Sequence, residues 1–264
     1  MGDLTIFVKK GPLSADKKES LDALEKKAGL DAYKRVGECS VNEMILAFDA
    51  TGSMEGIWRE ASEGISKLVE RVSELIPGIR ISLIAYRDYY DGKKLIEELP
   101  ATTDAGKIKA FIENIVCHGG DDFPEAVEVA LKKILQTGEG AFGVVVGDAP
   151  PHGVIDDVRH QTDYRDIITR LAEQGKQIYT VFARSLGQSE KFETVEARGT
   201  RQSFEEIAQK TGARFFELDQ IDELIDVLSA AAARRVGRVS TLKALIKNEQ
   251  GGKLTARQQE LLAE

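Results

Sequence analysis

The feature that most constrains the fold of this chain is an apolar segment that ends abruptly in small polar residues. Residues 44 to 48 are continuously apolar, Asp49 follows at once, and Thr51 and Ser53 stand at alternate positions after it. A short apolar run of this kind is typical of a strand that is buried on both faces of a parallel sheet. Gly52 allows the backbone after the strand to turn tightly. The sequence therefore predicts a buried strand whose end carries a carboxylate and two hydroxyl groups on one loop.

The oxygen atoms on this loop have three competing interpretations. A carboxylate and two hydroxyl groups suit a hard divalent cation such as Mg²⁺, which prefers oxygen ligands. In the second interpretation, a helix begins near Glu55 and Asp49 or Ser53 is its N-cap. The side chain of the N-cap residue would accept hydrogen bonds from free backbone N–H groups of that helix. In the third, Asp49 is the nucleophile of a haloacid-dehalogenase-like phosphatase, but Ala50 and Thr51 stand where such loops normally carry a second acid.

Apolar periodicity divides the rest of the chain into alternating strands and helices. Further strands are predicted at residues 3–9, 79–86, 94–99, 141–147, 177–183 and 214–218. Helices are predicted at residues 14–29, 55–76, 104–115, 124–135, 163–173 and 203–210, and from 221 past 233. Pro124 begins the fourth of these helices, and Ser203 with Glu206 forms a capping box at the start of the sixth. This alternation predicts an α/β fold, a doubly wound and mostly parallel sheet flanked by helices. We expect the main domain at residues 40–233, a strand and helix extension at 1–39, and a helical extension at 234–264.

The extension at 234–264 is predicted to form a pair of helices. Gly251 and Gly252 separate the two helices, and Thr255 with Gln258 matches a capping pair at the start of the second. We expect the pair to pack on its own domain. A detachable helix that binds a partner is the alternative, because the two glycines form a hinge.

Composition excludes several classes of function. The formal net charge of −8 argues against general binding to nucleic acid or to an anionic membrane, because both need a basic face. Cys39 and Cys117 are too few for a disulfide scaffold and are expected to be free thiols of a reducing compartment. No stretch has the length and apolarity of a membrane span. We therefore expect a cytoplasmic protein that binds neither nucleic acid nor membrane.

Two further polar clusters are predicted at the same edge of the sheet as the first loop. Ligands of doubly wound sheets bind in a crevice beyond the carboxyl ends of the strands. Asp148 ends the apolar run 142–147, and the loop from Gly119 to Asp122 leads into a helix on that side. The sequence therefore predicts that these side chains meet Asp49 at one crevice.

Three motifs carry a resemblance to a known family. FDATGSM resembles the first motif of von Willebrand factor A (vWA) domains, the DxSxS loop of the metal-ion-dependent adhesion site, with Thr51 in place of the first serine. GGDDFPEAV resembles the GGTDxPEAL loop of these domains, and VVVGDAPPHG resembles a variant end of their fourth strand. Together with YRDYYD, these motifs are most similar to the A domains found beside alpha-kinase domains. The resemblance covers roughly residues 40 to 230 and implies a Rossmann-like vWA fold, and the remainder is too short for a kinase domain.

The resemblance implies a ligand set for a cation. Asp49, Thr51, Ser53 and Asp148 correspond to ligands of Mg²⁺, with Mn²⁺ or Ca²⁺ as alternatives. Asp121 stands where most of the family has a threonine, and we interpret it as a further ligand that replaces the acidic group of a partner.

A rim around the crevice is predicted from its exposed polar and aromatic residues. Tyr89, Tyr90 and His152 are candidates for contact with a partner, although the tyrosines also suit packing over the sheet edge. Asp122 is a further rim candidate, with capping of the helix from Pro124 as its alternative role.

The resulting prediction is a non-enzymatic vWA domain that binds Mg²⁺ and mediates protein–protein interaction. No nucleophile and base stand at an established spacing. The alternatives are a Mg²⁺-dependent phosphohydrolase that uses Asp49 and a structural vWA domain with an empty metal site.

Overall fold

A computed structural model of the protein describes residues 43–120, 123–138, 142–153, 163–183, 195–235, 239–249, 253–255, 258–259 and 262. The strand and helix predicted within residues 1–39, as well as Cys39, Asp121 and Asp122, lie outside the described residues.

One six-stranded sheet forms the centre of the described structure. Its strands are β1 (Glu43–Asp49), β2 (Arg80–Tyr86), β3 (Ile96–Thr102), β4 (Phe142–Gly147), β5 (Ile178–Phe182) and β6 (Phe215–Glu217). Their order across the sheet is β3-β2-β1-β4-β5-β6, and all neighbours pair in parallel except the edge strand β3, which is antiparallel to β2. The α/β prediction is confirmed, and five of the strands match the sequence pattern within two residues at each end.

Seven α-helices of the described residues cover the two faces of the sheet. They are α1 (Trp58–Leu75), α2 (Ala105–Asn114), α3 (Val127–Leu135), α4 (Tyr164–Glu173), α5 (Val195–Lys210), α6 (Ile221–Arg235) and α7 (Val239–Glu249). Buried side chains of α1, α2, α6 and α7 form one apolar core, and those of α3, α4 and α5 form the other. The described helices are therefore arranged as the outer layers of a doubly wound fold.

The continuous apolar run of β1 is explained by its place between these two cores. Met44, Leu46 and Phe48 point into one core, and Ile45 and Ala47 point into the other. Successive side chains of a strand alternate between faces, so a strand that is covered on both faces needs apolar residues throughout.

Two helix starts differ from the sequence prediction. The predicted capping box at Ser203 is wrong, because Ser203 lies inside α5 and its hydroxyl donates to the carbonyl of Thr200. The prediction that a helix begins at Pro124 is also wrong, because α3 begins at Val127. The intervening residue Glu125 instead forms a parallel bridge with Pro151, which draws this segment toward the end of β4.

The C-terminal residues that are described pack on the domain. Leu242 and Ile246 of α7, together with Leu262, are buried in the core beside α1 and α6. The predicted capping pair is confirmed: Gln258 Oε1 accepts from the backbone N–H of Thr255 at 2.9 Å, and Thr255 Oγ1 accepts from that of Gln258 at 3.1 Å. Among the helices that are described, none is long and apolar enough to cross a membrane.

Lys176 provides a test of how β5 is joined to the helix layer. Its side chain is buried, and Nζ donates to the carbonyls of Ile134, Leu135 and Thr137 at the end of α3, at 2.7 to 3.0 Å. We expect Lys176→Met to lower the free energy of unfolding by about 1–3 kcal/mol, because it leaves buried carbonyls without a donor. Urea denaturation measures this change. The exposed Lys132 of the same helix provides the control, since Lys132→Met should leave the denaturation midpoint nearly unchanged.

Candidate cation-binding site

The sheet topology places the end of β1 at the point where the strand order reverses. From β1 the chain passes to β2 on one side and later to β4 on the other. Crevices at such a switch point are the usual ligand sites of open parallel sheets. Asp49 is the last residue of β1 and is fully buried, and Asp148 directly follows β4.

Four side chains predicted from the sequence lie together at this point. The backbone N–H and the hydroxyl of Thr51 both donate to Asp49 Oδ1, at 2.8 and 2.7 Å. The hydroxyl oxygens of Thr51 and Ser53 are 3.0 Å apart, and Ser53 Oγ donates to Asp148 Oδ1 at 3.0 Å. The structure therefore brings the oxygen atoms of the four side chains together, with each hydroxyl group bonded to one carboxyl group and the two hydroxyl oxygens in contact.

The capping interpretation of this loop is wrong. A single 3₁₀ turn, Gly52–Gly56, precedes α1, and neither its N-cap Thr51 nor the α1 N-cap Ile57 makes a side-chain capping bond. Asp49 receives its hydrogen bonds within the loop, and Ser53 donates across the crevice. These oxygens are therefore arranged around the crevice and not around a helix end.

Burial dominates the electrostatics of the two carboxyl groups, and the charge of Arg87 offsets it for Asp49 only in part. Burial, followed by the negative charge of Asp148, raises the pKa of Asp49 to about 8. Burial also raises the pKa of Asp148. Asp49 Oδ2 is buried and has no hydrogen-bond partner among the described residues. A bound cation would offset both the burial and the repulsion of the two ionised groups.

The donor set fits Mg²⁺ in its chemistry. Two carboxylates and two hydroxyl groups are hard oxygen ligands, and Mg²⁺ completes its coordination with water. Within the part of the chain that the structure describes, no group of three or more His, Cys, Asp or Glu side chains is arranged to hold a metal. A cation at this site would therefore depend on hydroxyl groups as well as on Asp49 and Asp148.

The glycine loop contacts the first loop through its backbone. Gly119 and Gly120 have φ angles of 81° and 80°, a conformation that other residues rarely adopt. The carbonyl of Gly119 accepts from the N–H of Gly52 at 3.1 Å, and a Cβ on Gly119 would lie 1.9 Å from Asp91 Oδ1. Both glycines are thus required for the close contact between the glycine loop and the first loop. Gly120 lies beside Thr51, and the undescribed positions 121 and 122 follow it.

Arg87 joins the loops around the crevice, a role that the sequence did not reveal. Its buried guanidinium donates to the carbonyls of Lys94 and Val116, each at 3.0 Å, and pairs with Glu97 at 2.7 Å. Its own carbonyl accepts from the N–H of Ala126 at 2.9 Å. A buried guanidinium that makes several polar contacts at once fixes the positions of the groups it contacts. The motif YRDYYD contained the signal, but its partners are distant in sequence.

Glu125 is a second residue that the sequence prediction missed. Its side chain is 3% exposed, and Oε1 lies 2.8 Å from the position that a Cβ on Gly120 would occupy. Burial, followed by the charges of Asp49 and Asp88, raises the pKa of Glu125 to about 11. The only signal in the sequence was the acid of the PEAV segment.

The prediction that His152 contacts a partner from the rim is wrong for this structure, because its side chain is fully buried. Its Nδ1 lies 3.2 Å from Glu128 Oε1, and its Nε2 lies 3.4 Å from Asp88 Oδ1. Tyr89 donates its hydroxyl to the same Glu128 oxygen at 2.8 Å and is only partly exposed. Tyr90 is 46% exposed and is the described aromatic side chain best placed for contact with a partner.

The chain was compared with known proteins. Residues 43–220 match the model of the von Willebrand factor A domain. The chain belongs to the vWA family. This region includes every strand and every site residue named above, so the vWA fold inferred from the three motifs is confirmed.

Individual relatives of this vWA domain are more distant. A protein of Acanthamoeba polyphaga mimivirus, described as an ariadne-like RING finger protein, is 28% identical over 132 residues, which are 50% of this chain and 12% of that protein. The pilus adhesin SpaC of Lactobacillus rhamnosus GG has a TM-score of 0.53 at 12% identity, over 72% of this chain and 30% of the adhesin. Proximal thread matrix protein 1 of the mussel byssus has a TM-score of 0.50 at 13% identity, over 74% and 48% of the two chains. This chain therefore spans less than half of each of these proteins, and the two structures are similar to it in fold.

The raised pKa of Asp49 predicts how the stability of the protein in chelator depends on pH. A carboxyl group whose pKa is raised by folding holds its proton more tightly when folded, so the stability it contributes is lost as the pH rises toward about 8. Asp49→Asn keeps an acceptor for Thr51 but cannot ionise. We expect the variant to gain stability relative to the native protein between about pH 4 and pH 8.

Urea denaturation at several pH values in chelator measures this difference. The exposed Asp219 provides the control, because Asp219→Asn should differ from the native protein by a constant amount. If the difference in stability between Asp49→Asn and the native protein is also the same at every pH, the effect assigned to the burial of Asp49 and to its repulsion by Asp148 is contradicted.

Proposed function

We propose that this vWA domain binds a divalent cation, Mg²⁺ by preference, at Asp49, Thr51, Ser53 and Asp148, and that it mediates protein–protein interaction through this site. The observation that carries the proposal is the cluster of oxygen atoms from these four side chains at the switch point of the sheet. Membership of the vWA family supports the interaction role. The similarity of YRDYYD and GDAPPHG to alpha-kinase-associated A domains supports a member of that type.

The site favours binding over catalysis. A nucleophilic Asp49 would need an ionised oxygen that a substrate can reach, yet its side chain is fully buried and Oδ1 accepts two hydrogen bonds from Thr51. Ser53 donates to a carboxylate, and no imidazole contacts its hydroxyl among the described residues. A phosphohydrolase therefore remains the second candidate, and a structural domain with an empty site the third.

The partner is proposed to be a protein that contacts the rim of the crevice. Tyr90, Val116 and Phe123 are the large apolar side chains that are exposed in the described residues. Tyr90 lies in the 3₁₀ helix Tyr89–Lys94 after β2, and Val116 and Phe123 lie on either side of the glycine loop. Exposed aromatic and apolar groups around a polar centre are typical of protein interfaces. A cytoplasmic location agrees with the free thiol Cys117 and is part of the proposal.

Cation binding is tested directly by calorimetry. We expect the native protein to bind Mg²⁺ and Mn²⁺, and Asp49→Ala and Asp148→Ala each to abolish binding while circular dichroism stays native-like. The reason is that loop residues at a site contribute more to the ligand than to packing. Asp219→Ala is the matched control and should bind as the native protein does. Retained affinity in both site variants would refute the ligand assignment.

The same proteins separate binding from hydrolysis. A panel of phosphatase substrates with Mg²⁺ should show no turnover by the native protein. Turnover that is lost in Asp49→Asn would establish the phosphohydrolase and sink the binding proposal. Capture of partners with and without chelator then identifies proteins whose binding requires the cation.

Asp121, which lies outside the described residues, is proposed to act as an internal substitute for a partner's acidic ligand. Two unit charges about 4 Å apart interact by roughly 4 kcal/mol at an effective dielectric constant near 20, so a third carboxylate should discourage an external one. We expect Asp121→Thr to bind Mg²⁺ more weakly and acetate more strongly than the native protein. Calorimetry with each ligand measures both affinities, and the proposal fails if neither changes.

A further inference from the structure

Tyr86, the last residue of β2, lies beside Asp49 at the end of the sheet. The two residues are partners in the register of β1 and β2, and the carbonyl of Tyr86 accepts from the backbone N–H of Ala50 at 2.9 Å. The side chain of Tyr86 is fully buried in the same core as Ile45 and Ala47. Because side chains of a strand alternate between faces, Asp49 is on this face of the sheet as well.

The hydroxyl group of Tyr86 reaches past β1 to the next strand. It donates to the carbonyl of Val146 in β4 at 3.0 Å, and β1 lies between β2 and β4 in the sheet. A phenol has one proton to donate, so this bond leaves none for Asp49. Burial, followed by the charges of Asp49 and Asp148, raises the pKa of Tyr86, so the hydroxyl group keeps that proton.

Gly147 leaves the space that the hydroxyl group of Tyr86 occupies. A Cβ on Gly147 would collide with this hydroxyl oxygen and would lie 3.5 Å from Asp49 Oδ2. The φ angle of Gly147 is not positive, so the position requires glycine for its small size and not for its backbone conformation. The hydroxyl oxygen of Tyr86 and Oδ2 of Asp49 therefore lie close to one small space beside β4.

Occupation of this space by the hydroxyl group explains how Asp49 Oδ2 stays without a donor. Oδ2 is buried and accepts no hydrogen bond among the described residues. A water molecule in the same space could donate both to the carbonyl of Val146 and to Oδ2, and buried polar groups are commonly satisfied in this way. The hydroxyl group satisfies the carbonyl and excludes the water, so Oδ2 is left for a group that enters from the crevice.

We propose that Tyr86 is a positioning residue of the cation site, whose hydroxyl group fills the space left by Gly147, keeps water from the buried side of Asp49 and so reserves Oδ2 for the cation. The inference rests on the proposed function, because it assigns a role at the same site. Tyr86 is not a ligand in this proposal and acts through Asp49.

The first test removes the hydroxyl group and keeps the ring. In Tyr86→Phe, water can enter beside Gly147 and donate to Asp49 Oδ2, and this competes with the cation. We expect Mg²⁺ to bind about fivefold more weakly than to the native protein, because one hydrogen bond of ordinary strength changes a dissociation constant by about that factor. Calorimetry measures the affinity.

Tyr164→Phe is the matched control for this variant. Tyr164 is also buried, but its hydroxyl group donates to Glu206 of α5 at 2.6 Å. We expect its replacement to leave the affinity for Mg²⁺ unchanged.

The second test refills the vacated space with a methyl group. In the Tyr86→Phe background, Gly147→Ala should restore most of the lost affinity, because the methyl group excludes water without contributing a polar atom. Gly147→Ala alone should lower the urea denaturation midpoint in chelator, since the methyl group collides with the hydroxyl group. The same change should lower the midpoint much less in the Tyr86→Phe background, and this coupling is measured without any cation.

The possible failures differ from one another. If the native protein binds no Mg²⁺, the proposed function fails and this inference fails with it, even where the coupling in chelator is found. If the native protein binds Mg²⁺ and Tyr86→Phe binds it equally well, the inference alone is overturned. A loss of affinity that Gly147→Ala does not restore, or an equal loss in Tyr164→Phe, would show that exclusion of water is not the cause and would also overturn it.

Discussion

The site depends on one interaction, the double hydrogen bond from Thr51 to Asp49 Oδ1. It occupies one oxygen of a carboxyl group that ends a fully buried strand and leaves the other oxygen buried without a donor. Such a group is unfavourable unless a positive charge or a proton reaches it. The rigid sheet beneath prevents the loop from relaxing away, so the cost of burying Asp49 remains in the folded protein, and the proposed cation would offset it.

The surrounding loops are fixed by polar contacts and not by packing alone. Arg87 connects the segments at residues 94, 97 and 116, and Glu125 connects the ends of β2 and β4. The buried cluster of Asp88, Glu128 and His152 supports the turn that follows Asp148. Buried polar contacts of this kind favour one arrangement of the loops over its alternatives, which suits a site whose ligands come from loops far apart in sequence.

The fold of this protein and its proposed function rest on different observations. The adhesin and the byssus protein share the fold at 12% and 13% identity, and a shared fold by itself does not transfer a ligand. The proposed cation-dependent interaction depends on particular side chains, namely the oxygens of the first loop, the carboxylate after β4 and the apolar groups of the rim. Glu125 matches the glutamate of the GGTDxPEAL motif, whereas Asp121 stands where that motif has a threonine.

The sequence by itself determined the fold and most of the first loop. The unbroken apolar run before Asp49 required a strand covered on both faces. The alternation of strand-like and helix-like apolar periodicity along the chain required helices on both sides of a parallel sheet. The spacing of Asp49, Thr51 and Ser53 placed their oxygens on one loop because such contacts are local. Even the reciprocal capping of Thr255 and Gln258 could be predicted, since both partners lie within one turn.

Only the tertiary structure decided which distant residues share the crevice and which are hidden beneath it. His152 was predicted to be a rim residue, but its side chain is buried. The bridge between Glu125 and Pro151 holds the neighbouring backbone, and carboxylates lie on both sides of the His152 ring. Ser203 matched a capping box, but α5 had already begun before it. Arg87 lies in the YRDYYD motif and Glu125 in the PEAV segment, but neither role could be predicted, because both arise from contacts between chain segments that meet only when the sheet is assembled. Local periodicity and spacing therefore determined the elements of this protein, and long-range packing determined the charge balance of its site.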